Sequence, residues 1–215
     1  MSIKKILVPT DFSPNAHNAL MYAVSIAKKE RAKIILLHVF SINYISSEVP
    51  IEYFAEELAV TGNEAAKQLN TLSKEVKKTG KINCETINRQ GIAVDTIVDT
   101  IKKKQIDLVV MGTKGASGIK EILMGSNTSK VISKASCPVI AVPEKAVFQG
   151  IKKIVYATDY HLSDVVNLKQ LAGMAKVFRA KLNVVHIAND QYTKREEEKH
   201  MDKFAKKVEQ KIHYS

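Results

Sequence analysis

The sequence predicts an α/β protein, with a doubly wound parallel sheet and helices on both of its faces. Over the first 145 residues, short apolar runs alternate with segments of helical periodicity, which is the pattern of strands joined by crossover helices. A glycine-spaced segment lies between one apolar run and the next helical segment. The start of this pattern then recurs farther along the chain. We therefore expect one complete sheet domain followed by a partial copy of it.

The predicted strands are rich in Ile, Leu and Val and are apolar on both faces, as strands covered by helices should be. Five strands are expected near residues 3–9, 33–40, 82–88, 106–111 and 138–143. Four helices are expected near residues 14–30, 56–79, 92–104 and 126–135.

Several residues mark the ends of these elements. Ser13 or Asp11 can cap the first helix, and Pro14 suits an early helical position. Gly80 suits the end of the second helix. Residues 41–51 lack clean periodicity and are expected to form a loop that could cover a site.

The chain contains an internal repeat at an offset of 148 residues. About a third of the aligned positions are identical, and the matches include Thr10/Thr158, Asp11/Asp159 and His38/His186. We interpret the repeat as a duplicated domain, with a first domain at 1–147 and a partial second domain at 148–215.

The second copy predicts an incomplete β-α-β-α unit. Its strands are expected near 152–157 and 181–187, and a charged helix is expected from about 192 to 213. Nothing after Ile151 corresponds to the third, fourth and fifth strands of the first copy or to its glycine-spaced segment.

Composition narrows the class of protein. The chain of 215 residues is 45% hydrophobic, which is ordinary for a domain with a core. No run of 18 apolar residues predicts a membrane helix, and the apolar run near the N-terminus stops at Thr10, too early for a signal peptide. We expect a cytoplasmic protein. Cys84 and Cys137 lack neighbouring zinc ligands and are expected to be buried free thiols.

The net charge of +11 raises the question of nucleic-acid binding. The charge is spread evenly, however, with +6 on residues 1–147 and +5 on residues 148–215. Lysines recur at predicted helix faces and ends, where solvation explains them. We therefore expect no specific nucleic-acid partner.

The glycine-spaced segment favours a bound phosphate. Met111 ends a predicted strand, Gly112-Thr113-Lys114-Gly115 follows it, and Gly125-Ser126-Asn127-Thr128 opens the next helix. Glycine lets the backbone approach an anion, and a helix N-terminus favours negative charge. Ser126 and Thr128 add hydroxyl donors, although either could instead cap the helix, and glycines after a strand often serve only to turn the chain.

Two other strand ends are expected at the same edge of the sheet, where ligands of open parallel sheets bind. The first strand ends in Pro9-Thr10-Asp11, and the second ends in His38-Val39-Phe40. Asp11 could accept hydrogen bonds from ribose, hold a metal or cap the helix. Val39 could face a flat base or belong to the core. His38 and His186 have no adjacent nucleophile, so a structural hydrogen bond is favoured for them.

Together these residues resemble the universal stress protein family. The resemblance covers residues 1–145 and, in truncated form, 151–215, and it is strongest in the pattern G-x2-G-x9-G-[ST] from Gly112 to Ser126. It implies a sheet order of 3-2-1-4-5 and binding of ATP. The residues implied around the phosphates are Gly112, Gly115, Gly125, Ser126, Asn127 and Thr128. Pro9, Thr10 and Asp11 are implied near the adenosine, with Val39 beside the base.

The expected function is that of an ATP-binding stress-response binder or regulator, with Mg²⁺ accompanying the nucleotide. Two alternatives stay open, which are a slow ATPase acting as a switch and a dimeric scaffold that binds no nucleotide. The P-loop pattern G-x4-G-K-[ST] is absent from the sequence. The resemblance also implies a homodimer formed through the strand at 138–143.

Overall fold

A computed structural model describes residues 2–41, 51–115, 124–161, 164–187 and 194–212. The chain divides into two compact units, which comprise residues 2–148 and 149–215. Among the described residues, no helix combines the length and the apolar character needed to cross a membrane.

The first unit is a five-stranded parallel sheet in the order β3-β2-β1-β4-β5, so the predicted fold class and strand order are confirmed. In chain order its elements are β1 (Lys5–Pro9), α1 (Pro14–Glu30), β2 (Lys33–Phe40), α2 (Ile51–Lys78), β3 (Cys84–Gln90), α3 (Ala93–Lys104), β4 (Leu108–Gly112), α4 (Ser126–Lys134) and β5 (Val139–Val142).

The central strands are buried on both faces, as their apolar composition predicts. Leu7 in β1 and Leu37 in β2 pack with Ile97 and Ile101 of α3 in one cluster. Ile6 and Leu36 of the same two strands are also fully buried. This two-sided burial fixes β1, β2 and β4 in the middle of the sheet, so their carboxyl ends share one edge.

The start of α1 shows which predicted cap is used. Ser13 is the N-cap, and its side-chain oxygen accepts a hydrogen bond of 3.2 Å from the backbone N–H of Ala16. Asp11 instead accepts one of 3.1 Å from the backbone N–H of Ser13. Both residues therefore order the turn that leads from β1 into α1.

Two details of α2 differ from the expectation. The helix begins at Ile51, five residues earlier than predicted, and residues 42–50 of the predicted covering loop lie outside the described residues. After the helix, the left-handed backbone conformation falls on Lys81, with φ of 56°, and not on Gly80.

The second unit contains β6 (Lys153–Ala157), α5 (Asp164–Phe178), β7 (Lys181–Val185) and α6 (Lys194–Ile212). Strand β7 is two residues shorter than predicted. Its pairing with β6 is parallel, and Lys153 lies opposite Lys181, just as Lys5 lies opposite Lys33 in the first unit. This incomplete sheet of two strands fits a truncated repeat.

The corner after the first strand of each unit has the same geometry. A ring nitrogen, Nδ1, lies 2.8 Å from the Thr10 carbonyl oxygen for His38 and 2.7 Å from the Thr158 carbonyl oxygen for His186. The two aromatic residues that follow, Phe12 and Tyr160, have φ of 64° and 61°. Because a carbonyl oxygen can only accept, Nδ1 carries the proton in both histidines.

Candidate functional site

A cavity of about 220 Å³ opens at the carboxyl ends of the strands. It lies where β1 and β4 are neighbours, and at this point the strand order reverses, which is where ligands of doubly wound sheets bind. Every residue of the predicted site lines it, namely Pro9, Thr10, Asp11, Val39, Met111, Gly112, Lys114, Gly115, Gly125, Ser126, Asn127 and Thr128.

The cavity also has an apolar wall that the sequence did not single out. Ala16, Leu37, Ala93 and Ile97 complete its lining. Leu37 and Ile97 follow the same apolar periodicity as the core residues beside them, so no local signal separated them from the core. Ala93 alone could have been predicted, because Gly91-Ile92 marks a chain turn between a strand end and a helix start, and such turns border binding sites.

The two described ends of the glycine-spaced segment, residues 112–115 and 124–128, lie against each other. The backbone N–H of Gly125 donates to the carbonyl oxygen of Thr113 at 2.6 Å. A Cβ on Gly125 would lie 3.3 Å from that oxygen, and a Cβ on Gly115 would lie 3.0 Å from Oδ2 of Asp11. These close approaches bring the loop, α4 and the β1–α1 turn together around one opening.

The N-terminus of α4 faces this opening without a side-chain cap. Its N-cap residue is Gly125, which makes no side-chain cap hydrogen bond, so the alternative in which Ser126 or Thr128 is the cap is wrong. The first N–H to find a helical partner is that of Ser129, which donates to the Gly125 carbonyl oxygen at 3.0 Å. The backbone N–H groups of Ser126, Asn127 and Thr128 precede it and have no partner within the helix.

Thr128 has a structural task. Its hydroxyl donates to the carbonyl oxygen of Gly112 at 2.8 Å, and the residue is 4% exposed. A hydroxyl carries one proton, so this bond joins α4 to the end of β4 and leaves the backbone N–H as the donor that Thr128 can offer to a ligand.

Charge at the cavity comes from two side chains among the described lining residues, Asp11 and Lys114. Helix α3 also begins at this edge without a side-chain cap, since its N-cap is Ile92. Helix α1, in contrast, is capped by Ser13. Two uncapped helix starts and a lysine make the opening suited to an anion.

His38 does not line the cavity. Besides its hydrogen bond to the Thr10 carbonyl oxygen, its ring lies 4.4 Å from the ring of Phe12, measured between centroids. These contacts hold the β1–α1 turn against β2, which agrees with the structural role predicted for His38.

Comparison with known proteins gives one family. The sequence model described as the universal stress protein family matches residues 2–143. Universal stress protein MJ0531 of Methanocaldococcus jannaschii is 35% identical over 142 residues, which are 65% of this chain and 81% of that protein.

Solved structures of the same family share the fold. The universal stress protein UspA from Lactobacillus plantarum has a TM-score of 0.62 and 30% identity, and the match covers 66% of this chain and 99% of that one. A universal stress protein solved in complex with cAMP has a TM-score of 0.51 and 24% identity, covering 66% and 98% of the two chains. With a family model that spans most of the first unit, this chain belongs to the universal stress protein family.

Proposed function

We propose that the first unit binds one adenine nucleotide, ATP with Mg²⁺, and that the protein acts as a nucleotide-dependent binder or regulator in a stress response. The observation that carries the proposal is the uncapped start of α4, which opens with the glycine loop onto one cavity. Backbone N–H groups at such a helix start are ready donors to a phosphate.

In this proposal the phosphates lie along the glycine loop. The N–H groups of Ser126, Asn127 and Thr128 donate to them, and the Lys114 side chain supplies a positive charge at the rim. The cavity is smaller than the range of about 300–1,000 Å³ usual for small-molecule pockets. A nucleoside would therefore fill it, and a chain of phosphates with its Mg²⁺ would extend outward past Gly115.

The nucleoside end has suitable chemistry. Leu37, Val39 and Ile97 offer an apolar wall to a flat base, and the Asp11 carboxylate can accept hydrogen bonds from ribose hydroxyls. Another universal stress protein with this fold was solved in complex with cAMP, which is an adenine nucleotide.

We place binding ahead of hydrolysis. Asp11 is the one carboxylate among the described lining residues, and its Oδ1 already accepts from the Ser13 N–H. A hydrolase needs a group that orients or deprotonates water, and the described lining residues include no histidine and no second carboxylate to do so. We therefore expect no turnover or very slow turnover of ATP.

We further propose that two copies of the chain associate through β5. This strand is an edge of the sheet, since it pairs only with β4 among the described strands. Val139, Ile140 and Ala141 are half-buried rather than buried. An apolar edge strand tends to pair with a strand from another chain.

The binding proposal is tested by releasing and then restoring the ligand. Protein purified from cells, denatured and chromatographed, should release an adenine nucleotide. After removal of that nucleotide, Mg-ATP at about a hundred times its dissociation constant should stabilise the fold by about 2.7 kcal/mol, seen as a higher melting temperature.

Two glycine variants give the matched comparison. Gly125→Val should abolish the stabilisation by ATP, because its side chain would push against the Thr113 carbonyl oxygen and displace the start of α4. Gly62→Val in α2 should leave the ATP effect intact, although the Cβ at this position also lies 3.3 Å from its nearest neighbour, a carbon of the Phe40 ring in β2. An unchanged melting temperature in millimolar Mg-ATP, with no nucleotide released, would reject the proposal and favour the scaffold.

A further inference from the structure

Asn15 is a buried amide in the first turn of α1, and sequence reasoning did not single it out. The residue is 5% exposed, although Asn is a poor helix former that usually stays at the surface. Its Oδ1 is also buried and has no hydrogen-bond partner. Burying an unpaired acceptor costs free energy, so the position needs a reason beyond the helix itself.

The other end of the amide holds the glycine loop. Nδ2 of Asn15 donates to the backbone carbonyl oxygen of Lys114 at 3.0 Å. Lys114 lies between Gly112 and Gly115 and lines the cavity. Asp11 in the β1–α1 turn and Ala16 in α1, which lie before and after Asn15 in the sequence, also line it. Asn15 itself does not line the cavity.

The first glycine of the loop, Gly112, packs directly against the same Asn15 side chain. A Cβ on Gly112 would lie 2.9 Å from Cγ, 3.0 Å from Oδ1 and 3.1 Å from Nδ2 of Asn15. The contact of 2.9 Å is shorter than real Cβ atoms make and the other two are unusually tight, so any larger residue at position 112 must displace the amide. The glycine at 112 therefore makes room for Asn15, whatever it also does for a ligand.

We propose that Asn15 is a positioning residue of the nucleotide site. It holds the Lys114 carbonyl against α1, so that this carbonyl points away from the opening and the loop keeps the path that a phosphate requires. The inference rests on the proposed function, because it assigns Asn15 an effect on nucleotide affinity without contact to the nucleotide.

The first test is a calorimetric titration with Mg-ATP of the full chain and three variants. Asn15→Ala and Asn15→Leu both remove the amide, and Leu keeps its branched shape and its number of heavy atoms. We expect the dissociation constant to rise about tenfold in both, the equivalent of one hydrogen bond. The melting temperature without nucleotide should change little, because each variant also removes the unpaired Oδ1.

Asn18→Ala is the matched control. Asn18 lies one turn farther along α1, and its Nδ2 approaches the carbonyl oxygens of Pro143, Glu144 and Ala146, outside the cavity. This variant loses the same chemical group from the same helix and should bind ATP as the unaltered chain does. If the unaltered chain binds ATP and the two positions behave alike, the positioning role is wrong. If the unaltered chain binds no ATP, the proposed function fails, and this role fails with it.

A second test needs no nucleotide. Gly112→Ala alone should lower the melting temperature by about 5 °C, because its Cβ overlaps the amide. The double variant Gly112→Ala with Asn15→Ala should recover most of that loss, since the amide is gone. Additive losses in the two variants would show that the contact does not constrain the loop.

Discussion

At the scale of single residues, each glycine of the loop lies against a different part of the protein. Gly112 meets the Asn15 side chain, Gly115 meets the carboxylate of Asp11, and Gly125 meets the backbone carbonyl of Thr113. These neighbours differ in how far they can yield. A carboxylate can rotate away from an added methyl group, whereas a backbone carbonyl that already accepts a hydrogen bond cannot. The spaced glycines thus reflect packing of the loop as well as room for an anion.

Both cysteines are free; Cys84 is buried and Cys137 is half-buried, and in each the desolvation of the thiol lowers its reactivity. Burial raises the pKa of Cys137 to about 11, with the negative charge of Asp107 adding to the effect, and burial also raises the pKa of Cys84. Since only the thiolate reacts, alkylation of Cys137 at pH 8 should be about a hundredfold slower than for an ordinary cysteine.

The pH dependence of the alkylation rate tests whether the raised pKa of Cys137 causes its slow reaction. For an ordinary thiol the alkylation rate levels off above about pH 8.5, whereas for Cys137 it should keep rising towards pH 11. In denaturant both cysteines should react at the ordinary rate. Labelling of the folded protein as fast as of the denatured protein would contradict the burial of these thiols. Cys137 is only half-buried, which departs from the prediction that both thiols are buried.

At the scale of elements, predictability depended on whether the signal was local. Strands β1, β2, β4 and β5 follow from apolar runs, whereas β3 is mostly polar and partly exposed, which departs from the prediction of strands apolar on both faces. Helix α1 follows from Ser13 and Pro14 at its start. The start of α2 at Ile51 was missed because residues 41–51 lack clean periodicity and were interpreted as a loop, with the helix expected only from about residue 56. Left-handed turns at Arg31 and Gln105, with φ of 55° and 52°, were not predicted either, because glycine is the usual residue at such a helix end.

The edge strand β5 is the proposed interface between two copies of the chain, and a charged substitution there should separate them. Ile140→Lys places a charge on the proposed interface, so light scattering should report about 24 kDa, one chain, where the unaltered protein gives about twice that mass. Val60→Lys changes an exposed apolar residue in α2 and should leave the mass unchanged. If Ile140→Lys stays dimeric with an unaltered fold, two copies meet through some other surface.

At the scale of the whole molecule, the sequence predicted most of the residues that line the cavity. It did not predict the apolar wall or the side-chain contacts that position the lining residues. The motif residues of β1, β4 and α4 all line one opening, because a parallel sheet brings its strand ends to one edge. The apolar wall of Leu37 and Ile97 was missed because residues that line an apolar cavity wall and residues of the core have the same composition. Asn15 was missed because its partner, Lys114, is distant in sequence.

The repeat has a consequence for the number of sites. The turn after the first strand of each unit shares its histidine contact and its left-handed aromatic residue. The second copy, however, has no counterpart of the glycine-spaced segment. If that segment is what binds the phosphates, the common turn alone is not sufficient, and the chain should hold a single nucleotide.

Calorimetric titration of the nucleotide-free chain with Mg-ATP and, separately, with adenosine tests this account most directly. We predict one ATP per chain and an affinity for adenosine lower by at least about tenfold, because adenosine cannot use the N–H groups of the loop and of α4. Equal affinity for the two ligands would show that the glycine loop binds no phosphate. Two ATP per chain, or no heat of binding at all, would contradict a single nucleotide site in the first unit.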